Sequence, residues 1–354
     1  MRNHDIAAIA TVLLTQAVPA AAGAQVDSAA FIIRLGSDTT AVERYVRRGD
    51  RIEAVAVARS PRTTVRRLTI WLSPDGTAAR YAVGGESGEM RETVATNGAI
   101  PLSGGFYVAW ELALMRAARS GGDEFTVEML NGSTALPIAM RRAGAGAWRF
   151  SNQFDQAVEA TTDPQGRLRR FAITGGGATA ERVAWIDVDA VSRAFAARDA
   201  AGRGMGALSP LDSVRAAIAS ANIIVEYSRP SLRGRDLDVL VPVGQVWRLG
   251  ANNATSFTTD QPVRFGATLL PAGAYSLFID RGRDAWTLII NRQTGMSGLD
   301  RDPGRDIVRV PMAVITRDPP VETLTLRVEP GRNGEGVLRI QWGRMEATAS
   351  FTVA

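Results

Sequence analysis

Residues 227–260 read YSRPSLRGRDLDVLVPVGQVWRLGANNATSFTTD. They set Arg229, Arg233, Arg235 and Arg248 among Ser228, Ser231, Asn252, Asn253 and Thr255, with Trp247 directly before Arg248. Nowhere else does the chain place so many hydrogen-bonding side chains between β-like runs. On either side the apolar residues come in short runs: Ile223 to Tyr227 before, and then Phe257, Val263, Phe265, Tyr275, Leu277, Trp286, Leu288 and Ile290 after. The breaks are turn chemistry, as at Pro271-Ala272-Gly273, Pro319-Pro320 and Pro330-Gly331. Many short strands at close, regular spacing predict an antiparallel β-sandwich, jelly-roll-like, over residues 222–354.

Three motifs of this region, YSRPSLRGR, VPVGQVWRLGANNATSFTTD and LPAGAYSLFID with AWTLIIN, resemble the bacterial family called domain of unknown function 2911. The resemblance covers the last third of the chain. It implies a secreted or periplasmic β domain and no established activity, so it assigns no catalytic residue. Two departures stand out. The family pattern has Lys where this chain has Arg233. It also has a Trp-Gly-aromatic cluster where Asn291 is here followed by RQTGMSGLDRDPGRD.

Upstream, residues 26–201 begin with alternating runs (Phe31, Ile33, Leu35; Ile52, Val55, Val57; Leu68, Ile70, Leu72) between Gly-, Ser- and Asp-rich turns. That pattern predicts an antiparallel meander. At 106–119 the period changes to a helical stripe carrying Val108, Leu112 and Met115, stopped by Gly121-Gly122. Strands resume after it, with Asp163-Pro164-Gln165-Gly166 as a hairpin turn. The expectation is a curved antiparallel sheet with one helix. Lipoprotein-carrier folds share that outline, a likeness of fold that carries no function. Asp38, Glu43, Glu53, Glu111, Glu124 and Glu128 read as solvated strand residues, with no pair placed across a cleft. Residues 202–221 are expected to be a linker with its boundary at Gly202-Arg203-Gly204. A short helix is expected from Pro210, because Ser209-Pro210-Leu211-Asp212 supplies an N-cap, a first-turn proline and an acid.

Residues 1–24 carry Arg2, an apolar run broken by Pro19, and a small-x-small pattern at Ala22-Gly23-Ala24, as a cleaved secretory signal does. The run is too short to span about 30 Å of hydrocarbon, and no later run is long and apolar enough. The expected location is the periplasm or the exterior. There is no cysteine, every one of the 41 basic residues is arginine, and the single histidine is His4. After cleavage the chain therefore has no group for a Ser-His-Asp triad, a Schiff-base lysine or a thiolate, and no zinc, iron or copper is expected. The +5 charge is spread among interspersed acids, so nucleic acid is not an expected partner.

The candidate ligand-binding residues are Arg229, Arg233, Arg248, Asn252, Asn253 and Thr255. Guanidinium forks take carboxylate or phosphate bidentately, and asparagines supply turn geometry and amide donors. The opposing reading is a corner held by its own buried hydrogen bonds. Asp300, Asp302 and Asp306 form a weak calcium candidate, because the twelfth position of such a loop is here Pro311 rather than Glu. Tryptophans 71, 185, 286 and 342 lie in apolar runs and read as core. Together these features predict an exported protein with no cofactor, whose sandwich binds a small molecule, a glycan or an envelope protein rather than catalysing a reaction. A carboxylate-dependent glycoside hydrolase and a purely structural envelope module are the alternatives.

Overall fold

The computed structural model describes residues 26–354 apart from 86, 104 and 284. The expected signal segment, 1–24 with His4, lies outside the described residues. The chain is mainly β and divides into two compact units, Met1–Gly206 and Ala207–Ala354. The division falls just after the expected Gly202-Arg203-Gly204 boundary.

In the first unit, β1 (Val26–Leu35), β2 (Asp38–Arg48), β3 (Arg51–Ala58), β4 (Thr64–Leu72), β5 (Ala78–Gly84) and β6 (Met90–Val94) run as a meander to one edge of a sheet. On the other side of β1 lie β13 (Thr179–Val183), β12 (Leu168–Ile173), β11 (Ala157–Thr162), β10 (Ala147–Ser151), β9 (Thr134–Gly144) and β8 (Glu124–Asn131). The short β7 (Ile100–Pro101) ends that side as a parallel partner of β8; the other pairings are antiparallel. Residues of both edges, Tyr81, Val83 and Thr93 from one and Leu102 and Leu130 from the other, line one cavity of about 840 Å³. The sheet thus curls until its edges flank the same space, without closing into a barrel.

One helix was expected on this sheet, and the described residues form two. Helix α1 (Val108–Ser120) buries Val108, Trp110, Leu112 and Leu114 and ends at Gly121, whose φ of 73° is the left-handed C-cap that glycine adopts without a Cβ penalty. Helix α2 (Val188–Ala200) starts at Asp187, whose carboxylate accepts the Asp189 and Ala190 N–H groups. It packs Val191 and Phe195 with Ala30, Val42 and Val57, while Ala29, Phe31 and Ile33 of the same β1 belong to the core that holds α1. Strand side chains alternate between faces. Both faces of β1 are covered, so residues 29–33 read as an unbroken apolar run rather than as alternation.

The second unit contains β14 (Leu211–Ile218), β15 (Ala221–Ser228), α3 (Leu237–Leu240), β16 (Val246–Trp247), β17 (Thr255–Thr259), β18 (Val263–Phe265), β19 (Thr268–Leu270), β20 (Gly273–Arg281), β21 (Trp286–Asn291), β22 (Asp306–Pro330) and β23 (Glu335–Val353). The ladder runs β14-β15-β17-β20-β21-β22-β23-β18-β19, antiparallel throughout. Register breaks after Thr316 and Val321 let the two long strands bend, so one ladder supplies both layers of the sandwich. The core between them includes an aromatic cluster, Phe257 from one layer against Phe265 and Phe351 from the other.

The helix expected from Pro210 is strand β14. The Ser-Pro-Leu-Asp start is helix-like, but Val214, Ala216 and Ile218 recur at every second position and turn toward the core. The segment pairs with β15 from Leu211↔Ser228 to Ile218↔Ala221. Sheet pairing outweighs a local cap signal worth about 1 kcal/mol. Residues 237–240 form one helical turn whose N-cap Asp236 accepts the Asp238 N–H.

Candidate functional site

The corner after β16 is built from the residues that the sequence singles out. Trp247 is buried and stacks on Trp342 at 5.5 Å between ring centroids, and its indole N–H donates to Gly250 O at 3.2 Å. Leu249 is buried with φ 53°. The hydroxyl of Thr255, itself fully buried, donates to Leu249 O at 2.7 Å. A Cβ on Gly250 would stand 3.1 Å from Ser228 O, so the corner sits directly against the end of β15. Thr255 is thus a structural residue that satisfies the backbone of a left-handed turn.

Arg229 is structural as well. Its guanidinium donates to Leu324 O (3.2 Å) and Thr325 Oγ1 (3.3 Å) and pairs with Asp212 (3.2 Å), tying β14 and β22 together. Arg233 holds its turn through its backbone N–H, which donates to Glu322 Oε1 at 2.7 Å.

Arg248, Asn252 and Asn253 come together on the opposite side of the corner. Asn252 has φ 62°, and its carbonyl accepts the Gly298 N–H (3.0 Å) and, more distantly, Arg248 Nη1 (3.4 Å). Asn253 bridges to Ser297, and both asparagines are exposed. Arg248 is half-buried. Burial holds its guanidinium below the usual arginine value, and among the described residues no carboxylate reaches it. Several other partly buried arginines of this unit face a carboxylate: Arg281 pairs with Asp238, Arg301 with Asp306, Arg317 with Glu346, and Arg339 with Glu329 and Glu346. Among the described residues, nothing anionic receives the Arg248 donors.

The calcium candidate does not assemble. Asp306 is held by Arg301 and Asn291, and Asp302 accepts the Gly304 N–H and pairs with Arg305. Among the described residues no group of three acidic side chains converges on a metal position. Two of the tryptophans read as core are also elsewhere: Trp185 is exposed beneath Arg44, and Trp71 lies half-buried between Arg51 and Arg80.

The first unit corrects two carboxylates. Glu43 and Glu111, expected to be solvated, are 0% and 2% exposed. Glu43 accepts the Tyr107 and Val108 N–H groups and so caps α1 from β2. Burial outweighs those bonds and pushes its carboxyl up to about 8. Glu111 accepts from the Tyr45 hydroxyl, Arg182 and the Leu168 N–H. Burial raises it against the pull of Arg182. The signal was present: Ala41, Glu43 and Tyr45 share one strand face, and Glu111 sits three residues after Val108 on the helical stripe. Neither lines a described cavity, so they do not form the open carboxylate pair that a glycoside hydrolase needs. None of the six candidate ligand residues lines either described cavity.

Residues 209–351 match the family described as Protein of unknown function (DUF2911). The DUF2911 match contains all six candidate ligand residues and Gly298 and does not extend into the first unit. No curated protein and no solved structure matches the chain.

Proposed function

We propose that the chain is an exported binding protein whose DUF2911 region takes a small anionic ligand, a carboxylate or phosphate, at Arg248. The observation that carries this is the half-buried guanidinium that, among the described residues, no carboxylate reaches, in a unit where Arg281, Arg301, Arg317 and Arg339 each pair with one. Desolvating a charge without a partner is costly, and a bound anion offsets that cost through a bidentate pair. Asn252 and Asn253, exposed on the same turn, offer amides to the rest of the ligand. The site's makeup favours binding over catalysis. Arginine and asparagine supply donors, but neither titrates near neutrality nor acts here as a nucleophile. Export rests on residues 1–24, whose charge, apolar run and Ala22-Gly23-Ala24 pattern are those of a secretory signal.

A thermal-shift series with citrate, succinate, phosphate and sulfate tests the site. Binding at Arg248 raises the melting temperature in a saturable way for at least one of these anions, and Arg248→Met abolishes the rise. Equal responses in both proteins contradict the reading.

A further inference from the structure

A second surface of the same unit, independent of Arg248, has the features of a peptide-docking edge. Strand β21 pairs with β22 from Asn291↔Asp306 to Trp286↔Met312 and then ends. The segment after β15 takes up the same side of β22 only further on: the Leu232 N–H donates to Glu322 O (2.9 Å), Ser231 bridges Thr323, and the Leu324 N–H donates to Pro230 O (2.9 Å). Between these points, among the described residues, β22 has a strand partner on its β23 side alone, from Ala313↔Thr348 to Thr316↔Met345.

Exposure marks the same gap. Strand residues 313–316 are all exposed, including Val314 at 40% and Ile315 at 59%. Consecutive aliphatic residues on a strand cannot both face one core. Here both side chains keep a large exposed area. An open apolar edge invites pairing, and chains blunt such edges with charge and proline. Arg317, Asp318, Pro319 and Pro320 do this for the next stretch, and residues 313–316 are left without it.

A cavity of about 460 Å³ opens against this edge. Leu232, Leu237, Trp286 and Met345 give it apolar walls, and Gly343 contributes no side chain. Its polar rim is mainly basic: Arg235, Arg281 and Arg344 against Asp236 and Asp238. Asp238 is already paired with Arg281. Among the described residues Arg344 pairs with Asp318 alone, where both side chains are largely exposed and the pair is weak.

We propose that residues 313–316 accept an extended acidic peptide as an added β-strand, with an aliphatic side chain in the Leu232–Trp286 cavity and a carboxylate at Arg344. Main-chain pairing supplies affinity, and the cavity and the arginines supply specificity. The partner chemistry is therefore an unstructured segment alternating aliphatic and acidic residues.

Fluorescence anisotropy on the full chain with synthetic peptides tests this. A labelled peptide alternating Val and Glu binds saturably, and one alternating Val and Lys binds about tenfold more weakly or worse. The Val/Glu peptide N-methylated at alternate amides, made in both phases, loses about tenfold or more in at least one phase, because one phase removes the donors facing β22. Arg344→Glu, an exposed substitution, reverses the preference between Glu and Lys peptides. Equal affinity for both methylated forms and their parent overturns the proposal. So does the absence of saturable binding, or self-association of the chain that the peptide does not compete with, which would give the edge to a second copy.

Discussion

The Arg248 side chain lies flat across Gly298. A Cβ built on Gly298 would stand 2.6 Å from Arg248 Cβ and 2.9 Å from Cγ, closer than real carbon neighbours come. The aliphatic stem therefore covers the glycine while the guanidinium reaches past it to the Asn252 carbonyl. The 293–302 loop and the corner after β16 are locked together here, with the Gly298 N–H also donating to Asn252 O.

This relationship makes Gly298 a sensitive position. Gly298→Ala forces the Arg248 stem outward and should cost about 1–3 kcal/mol, the usual penalty for overpacking. It should also lower anion affinity, because the guanidinium loses its seat. Denaturant midpoints and anion titrations on the variant check both. A neutral substitution with unchanged anion response would show that the stem moves freely.

The buried carboxyl of Glu43 makes the first unit sensitive to base. Its folded value, about 8, lies above the unfolded one, so the folded state holds a proton that the unfolded state has released. The stability from that proton is fully present below about 4.5 and is lost as pH rises through about 8, at no more than about 1.4 kcal/mol per pH unit. Stability measured across this window should fall with pH in the wild type. The slope should flatten in Glu43→Gln, even though that variant forfeits one acceptor at the start of α1. Parallel slopes would assign the proton elsewhere.

Arg182 is the charge partner of buried Glu111. Arg182→Met strands a carboxylate that still accepts from the Tyr45 hydroxyl and the Leu168 N–H but has lost its cation, and should cost about 3–5 kcal/mol. Adding Glu111→Gln removes the orphaned charge and should recover a large part of the loss. Additive losses in the double variant would mean that the pair is not coupled.

Export predicts a mature chain that begins at Gln25. Mass spectrometry of the protein recovered from its native host decides it, and an intact Met1 on cytoplasmic protein contradicts it.

Much of this architecture could be read from turn chemistry. Asp163-Pro164-Gln165-Gly166 does connect β11 to β12, with the Asp163 carboxylate accepting the Gln165 and Arg167 N–H groups. Gly121 does end α1. What escaped reading was decided by contacts distant in sequence. β14 carries helix-start residues and is made a strand by β15. β22 runs through Pro319-Pro320, a pair that reads as a break, because β23 pairs with it on both sides of that point. Of the site residues, Arg229 and Thr255 were found by type, but their structural role depends on Leu324 and Leu249, which no spacing rule connects to them. Gly298 gave no signal, since a glycine needed for the space beside a distant arginine looks like any loop glycine.

The most direct test of the anion site is the stability of Arg248→Met, measured by chemical denaturation with and without citrate. Methionine keeps an aliphatic stem over Gly298 and removes the desolvated charge. Without anion the variant should lie within about 1 kcal/mol of the wild type, on either side, and citrate should stabilise the wild type alone. A loss of about 3–5 kcal/mol without anion, the signature of a broken buried pair, with citrate acting equally on both proteins, would make Arg248 a structural strut and contradict the assignment.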